Sequence, residues 1–315
     1  MESWVKTLVS IIQGSLGSNG LPIPMDKSLC TQWAGELNVP KGGDTVIYTS
    51  CLYQMAPVIN QMIPWIEKLQ GSPLGGVARV FSRFSGLVAG FVVKPSPSDI
   101  TRANGIVKNI AQSLRKSGIN FGYLYEDEPY SGALLYELGA IDQFLDYFEK
   151  TVMPTFKRFG VRKVITIDPH THNILTEVAP RYFKLDFDVV NYLDIISKAR
   201  VKPLINLDTV VIHDSCLYAR YLNKYDVYRS ILDRAGIKHV EDPVITGRET
   251  STCCGGPIES LNPGLSERIA KIRIRNLAKL SRNVVTLCPI CLANLTRNNE
   301  GEVEIRDINE VITVE

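Results

Sequence analysis

The chain has 315 residues, 45% of them apolar and 22% charged, with a formal net charge of +2. That length and composition describe a soluble globular protein with room for two lobes, and they exclude a disordered, collagen-like or strongly basic nucleic-acid-binding chain. Seven cysteines, an odd number gathered mostly in the last third, point to metal ligation in a reducing cytoplasm rather than to a secreted disulfide framework.

In chain order, residues 4–12 are apolar, but Glu2 and the single Lys6 make a poor signal-peptide start. The stretch therefore reads as an amphipathic helix that runs out in the Gly, Ser and Asn of residues 14–20. No run of about 18 apolar residues occurs, so no helix is expected to span a bilayer. Pro22, Pro24, Pro40 and Gly42-Gly43 punctuate the next stretch, making residues 1–41 a leader packed on a first lobe. Thr45-Val46-Ile47-Tyr48 predicts a short strand, and a helix is expected to start at Thr49-Ser50-Cys51-Leu52-Tyr53.

Further on, Val77, Val80, Phe81, Phe84, Leu87, Val88 and Phe91 recur at helical spacing, with Arg79 and Arg83 between them. Such a helix faces its own core, a partner, or a membrane interface with Trp65 as a neighbouring anchor. Residues 101–116 have a helical pattern, and Val164-Ile165-Thr166-Ile167 and Thr209-Val210-Val211-Ile212-His213 read as strands.

The strand and turn around Cys51-Leu52-Tyr53 are repeated at Cys216-Leu217-Tyr218, and residues 164–175 align with residues 284–295. The chain is thus read as an internal duplication: a degenerate first repeat over residues 42–202 and a complete one over residues 203–315. The fold class is α/β, two pseudo-repeated parallel lobes with ligands at the C-terminal ends of strands. Cys216 and Cys288 both follow strand-like runs and would meet at one edge.

The chemistry is concentrated in Cys216, the adjacent pair in Cys253-Cys254-Gly255-Gly256-Pro257, and Cys288-Pro289-Ile290-Cys291. Thiolates favour zinc, copper(I) and iron-sulfur clusters, and a C-x-x-C turn points two sulfurs into one coordination sphere. Five sulfurs, two on consecutive residues, suit several irons better than one tetrahedral ion. At these residues the chain resembles the cysteine-rich CCG domain family, which includes the B subunit of heterodisulfide reductase and the C subunit of anaerobic glycerol-3-phosphate dehydrogenase. Related subunits of glycolate, lactate and archaeal succinate oxidation systems share the motif. The resemblance covers one full copy of the motif and implies that Cys216, Cys253, Cys254, Cys288 and Cys291 hold one [4Fe-4S] cluster, cubane or noncubane.

In the first repeat Asp168 stands where the second has Cys288, and Thr171 where it has Cys291, so only Cys51 survives and a single metal centre is expected. His170 and His172 read as structural groups more readily than as metal ligands, and Cys51 as an inert thiol more readily than a redox one. Cys30 has no partner at ligand spacing, while His213, three residues before Cys216, reads equally as a hydrogen-bond donor toward a cluster sulfur and as a capping or core group.

No ferredoxin-type cysteine run and no G-x-G-x-x-G occur, so electrons are expected from a flavoprotein dehydrogenase or ferredoxin-like subunit. The first reading is an electron-transfer subunit that passes them to quinone, cytoplasmic and peripheral on the inner face of the cell membrane through residues 77–91. The alternative is cleavage or formation of disulfide or sulfur-thiol bonds at the cluster, as in heterodisulfide reductase. A zinc-bound assembly scaffold is the third.

Overall fold

Short β-branched runs set the frame. Thr45–Tyr48 (β1), Lys163–Thr166 (β2) and Asp188–Asn191 (β3) form one parallel sheet in that order. A second parallel sheet has the order β6-β5-β7-β8, made of His239–Val240, Val210–Ile212, Asn283–Thr286 and Glu304–Asp307. Between them in the chain, Val201–Pro203 (β4) pairs antiparallel with the C-terminal Ile312–Val314 (β9). The computed structural model describes residues 2–70 and 95–315, with the side chains of residues 2, 3, 65 and 68–70 left aside. The expected amphipathic helix of residues 77–91 and the side chain of its neighbour Trp65 lie outside that description.

The two sheets share an arrangement. Gly122 bridges Val46 of β1 in parallel, and Tyr123 bridges Lys41 just before that strand, so residue 122, β1, β2 and β3 lie side by side much as β6, β5, β7 and β8 do. Gly122 has to be glycine, because a Cβ there would lie 1.6 Å from the Gly42 carbonyl oxygen. Parallel strands are covered on both faces, which is why these runs are almost continuously apolar. Val46, Tyr48 and Val164 enter a core with Ile12 and Leu16 of the first helix, while Ile47 and Ile165 enter the core that continues into the second lobe.

The lobes are tied reciprocally. Tyr53, just after the first turn, donates to Asp307 Oδ2 at the end of β8 over 2.9 Å. Tyr218, its counterpart in the second lobe, accepts from Asn191 Nδ2 at the end of β3 over 3.1 Å. The helix Leu52–Gln70 packs on Pro289–Arg297, where Asn60 donates to the Ala293 carbonyl and accepts from Arg297.

The first helix runs Glu2–Asn19 and ends at Gly20 with φ +74°, at the far end of the expected stretch 14–20. Each glycine costs a helix about 1 kcal/mol, and burial of Val9, Ile12 and Leu16 outweighs that. Cys30 and Cys51 are not separate thiols but a disulfide that ties the leader to the first turn. Their distance in sequence hid the pairing, since only the folded leader brings residue 30 back beside β1.

Candidate metal centre

Cys216 follows β5 and Cys288 follows β7. These strands are adjacent and in parallel register, Ile212 opposite Val285, so both turns open at the same edge. Past Cys216 the chain makes one π-helical turn, Leu217–Tyr221. Past Cys288 it makes the regular helix Pro289–Arg297, which carries Cys291 on its first turn. The Cys253-Cys254 loop is delivered by Gly255, whose φ of +90° and close approach to the Ser266 carbonyl leave no room for a side chain. Ser266 Oγ in turn donates to the Gly255 carbonyl, and Asn294 donates to the Cys254 carbonyl over 2.8 Å.

The five free cysteines form one row. Cys216 and Cys253 sulfurs lie 4.0 Å apart, Cys253 interacts with Cys254, Cys254 with Cys291 and Cys291 with Cys288. Cys216 and Cys253 are half-buried and the other three buried. Backbone N–H groups of Gly255 and Gly256 point at the Cys253 and Cys254 sulfurs over 3.4 and 3.3 Å, an arrangement that favours thiolates. The Cys216 thiol, through its hydrogen bond, holds the Cys253 sulfur well below the usual thiol pKa. For Cys288, burial works against ionisation, but Cys291 and His170 outweigh it and bring the pKa down to about 5. Cys254 and Cys291 move up instead, Cys254 chiefly through its hydrogen bond to Cys253 and Cys291 chiefly through its hydrogen bond to Cys254.

Two histidines flank the row. His213 Nδ1 accepts from the guanidinium Nε of Arg273 over 3.0 Å, and burial holds the imidazole pKa down at about 3. A guanidinium keeps its proton, so the imidazole proton sits on Nε2. That buried N–H has no partner among the described residues, yet a His213 ring nitrogen and the Cys254 and Cys291 sulfurs lie within 4.8 Å of one another. With Nδ1 occupied by Arg273, ligation through Nε2 would require an imidazolate, so His213 suits donation to a sulfur rather than metal binding.

The other, His170, sits on the helix that follows β2 of the first sheet but reaches the cysteines at the edge of the second. Its Nε2 is 3.4 Å from Cys288 Sγ and its Nδ1 is 2.6 Å from Glu137 Oε1. Burial opposes charge on this ring, but Glu137 and Cys288 raise its pKa well above the usual value. His172 is a structural group, bonded through Nδ1 to Thr166 Oγ1 over 2.8 Å.

At the turns that follow β1 and β2, polar side chains bond to one another. Asp168 caps its helix through the Thr171 N–H, Thr171 reaches Ser131, and Ser131 and Ser50 share two hydrogen bonds. Glu128 closes the turn after β1, accepting from the Thr49 and Ser50 N–H groups. After β5, Arg229 instead clamps Asp214 through both guanidinium branches at 2.8 and 2.9 Å, fixing the turn that carries Cys216.

The structure thus brings together the five cysteines and His213 that the sequence singles out, and adds Arg273, Glu137 and the reach of His170, which it does not. Arg273 carries a readable signal, a charged residue at helical spacing with Ala270, Ile274 and Leu277 on the buried stripe of Pro263–Ala278. His170 carries none, because its partner lies in the other repeat.

The donor set fits an anionic, multi-sulfur group: five sulfurs in one row, backbone N–H groups aimed at two of them, and an unpartnered imidazole N–H beside two others. Over 222 residues the chain is 29% identical to a probable iron-sulfur-binding oxidoreductase, FadF, of Bacillus subtilis (strain 168), covering 67% of this chain and 31% of that protein. It is 27% identical over 227 residues to an EtfAB:quinone oxidoreductase of Syntrophomonas wolfei subsp. wolfei (strain DSM 2245B / Goettingen), covering 64% of this chain and 31% of that one. The chain thus spans about a third of the length of these curated relatives. Residues 210–296, which hold all five free cysteines, match the cysteine-rich domain family CCG, and the chain therefore carries a CCG domain.

Proposed function

We propose that the chain is an iron-sulfur electron-transfer subunit of an oxidoreductase, with Cys216, Cys253, Cys254, Cys288 and Cys291 as ligands of one [4Fe-4S] cluster. The observation that carries this reading is the continuous row of five sulfurs beside an unpartnered His213 N–H. Such a cluster supplies one-electron transfer when bound. The protein's own part is to hold the sulfurs, donate to them from Gly255, Gly256 and His213, and keep Cys254, Cys288 and Cys291 away from water. Residues 42–202 and 203–315 are two copies of one unit behind a leader of residues 1–41. The matching strand orders and the Tyr53 and Tyr218 bonds support this. Asp168, Thr171, Ser131 and Ser50 fill the first copy's turn, which favours a single cluster.

The donor is an electron-transfer flavoprotein or similar flavin partner, docking at the half-buried Cys216 and Cys253 end of the row, and the acceptor is quinone. The name of the Syntrophomonas relative supports both assignments. No helix among the described residues is long and apolar enough to cross a membrane, so contact with a quinone-bearing bilayer is peripheral or through a partner. Disulfide cleavage is the weaker reading, because the first copy has no second set of thiols to bind the other half of a disulfide.

Anaerobic purification with iron and sulfide analysis and electron paramagnetic resonance tests this, on the parent protein and on Cys253→Ser. About four irons per chain and a signal altered or lost in the variant are expected. Stoichiometric zinc without sulfide would remove the electron-transfer reading.

A further inference from the structure

Beside the thiol row lies an apolar cavity of about 120 Å³, roughly ten times the space one water needs. Its walls are Leu8 and Ile12 of the first helix, Met55 and Ile59 of Leu52–Gln70, Leu134, and Ile290 from the C-P-x-C turn. Gly256 of the Cys253-Cys254 loop also lines it, so the space touches both cysteine loops. Among its polar neighbours Glu259 is engaged by Arg297, and Tyr130, Glu137 and His170 define the polar end.

The Tyr130 oxygen accepts the Leu134 N–H over 2.9 Å, but its own hydroxyl proton has no acceptor among the described residues. Burial raises the phenol pKa well above its usual value, so the hydroxyl remains a donor. His170, which also lines the cavity, is one side chain away from the row, its Nε2 3.4 Å from Cys288 Sγ. A ligand suited to this space is apolar and compact, presents a carbonyl oxygen to Tyr130, and lies next to the redox end of the molecule.

We propose that this cavity binds the headgroup of a quinone, with the Tyr130 hydroxyl donating to one carbonyl oxygen and the aliphatic walls holding the ring. The inference rests on the electron-transfer reading above and gives it an acceptor site. The balance is simple: the quinone gains two electrons, delivered one at a time from the reduced flavin partner by way of the thiol-bound centre. It also gains two protons from water at the cavity mouth, where the Glu137 side chain is 26% exposed, and leaves as the quinol.

The test uses anaerobically purified, cluster-loaded full chain and equilibrium dialysis of 2,3-dimethyl-1,4-naphthoquinone, whose substituted ring carbons keep it from adding to thiols. Saturable binding is expected. Tyr130→Phe should weaken it about 3- to 10-fold, the range of one hydrogen bond, and Ile59→Trp, which fills the cavity from a half-buried position, should abolish it. Iron and sulfide content should be the same in all three. Absent binding, or equal binding by both variants, with the cluster in place would overturn the cavity assignment while leaving electron transfer intact. Binding by a protein that carries no iron or sulfide would keep the cavity and remove the function proposed for it.

Discussion

At the scale of single residues, the centre depends on side chains that set protons and charge around the sulfurs. Arg273 holds His213 as the Nε2–H tautomer, so its N–H stabilises added negative charge on a neighbouring sulfur. With the cluster loaded, His213→Leu should therefore shift the midpoint potential to more negative values by about 20–60 mV, the equivalent of one net hydrogen bond. Potentiometric titration followed by electron paramagnetic resonance checks this, and an unchanged potential with full iron content would show that His213 only packs. The five ligand candidates were legible in the sequence because soft ligands at that spacing have few other uses. His170 was not, since its bond to Cys288 spans 118 positions and depends on how two lobes dock. Nor was the Cys30–Cys51 disulfide, which depends on the path of the leader.

At the scale of elements, each lobe has a strand, a sharp turn and a helix, and the turn residues decide what each lobe can hold. Cys51 and Ser50 both have positive φ, at 55° and 51°, and Glu128 fixes that strained turn by bonding its N–H groups. In the second lobe the cysteine-pair loop relies on glycine instead. A Cβ on Gly255 would sit 2.8 Å from the Ser266 carbonyl oxygen and 3.1 Å from Ile269 Cβ, at φ +90°. Gly255→Ala should cost about 1–3 kcal/mol of stability and displace Cys253 and Cys254, reducing iron per chain. Urea unfolding and iron analysis of the purified variant read the two effects separately, and a variant with parental values for both would show that the loop can relax. Strands β1, β2, β5 and β7 were legible to within a residue because fully buried parallel strands are short apolar runs bounded by polar turns. The end of the first helix was legible only to the stretch 14–20, because glycine there favours a stop while core burial carries the helix through to Asn19.

At the scale of the whole molecule, the lobes meet through buried polar groups whose ionisation couples to folding. Glu128 in the first lobe and Asp307 between the lobes are both buried, and loss of solvation pushes each carboxyl pKa up to about 7 despite the donors around it. These values lie above the ordinary ones of 4.5 and 3.8, so the folded state binds protons more tightly than the unfolded chain. Their stabilising contribution is complete below about pH 4 and is lost as pH rises toward 7. Relative to Glu128→Gln, the parent should lose on the order of 2–3 kcal/mol between about pH 5 and pH 7.5. Urea unfolding at the two values measures it, and parallel losses in both proteins would mean that Glu128 is ionised in the fold. By itself the sequence singled out the cysteine ligand candidates, the α/β class and the succession of strand, turn and helix, because ligand softness, side-chain periodicity and turn residues act over short stretches of chain. Only the tertiary structure decided that Arg273 fixes His213, that His170 joins Cys288 to Glu137, and that Tyr130 lines a cavity beside the cysteines. Each of these is a contact between elements far apart in sequence, set by how the two sheets pack.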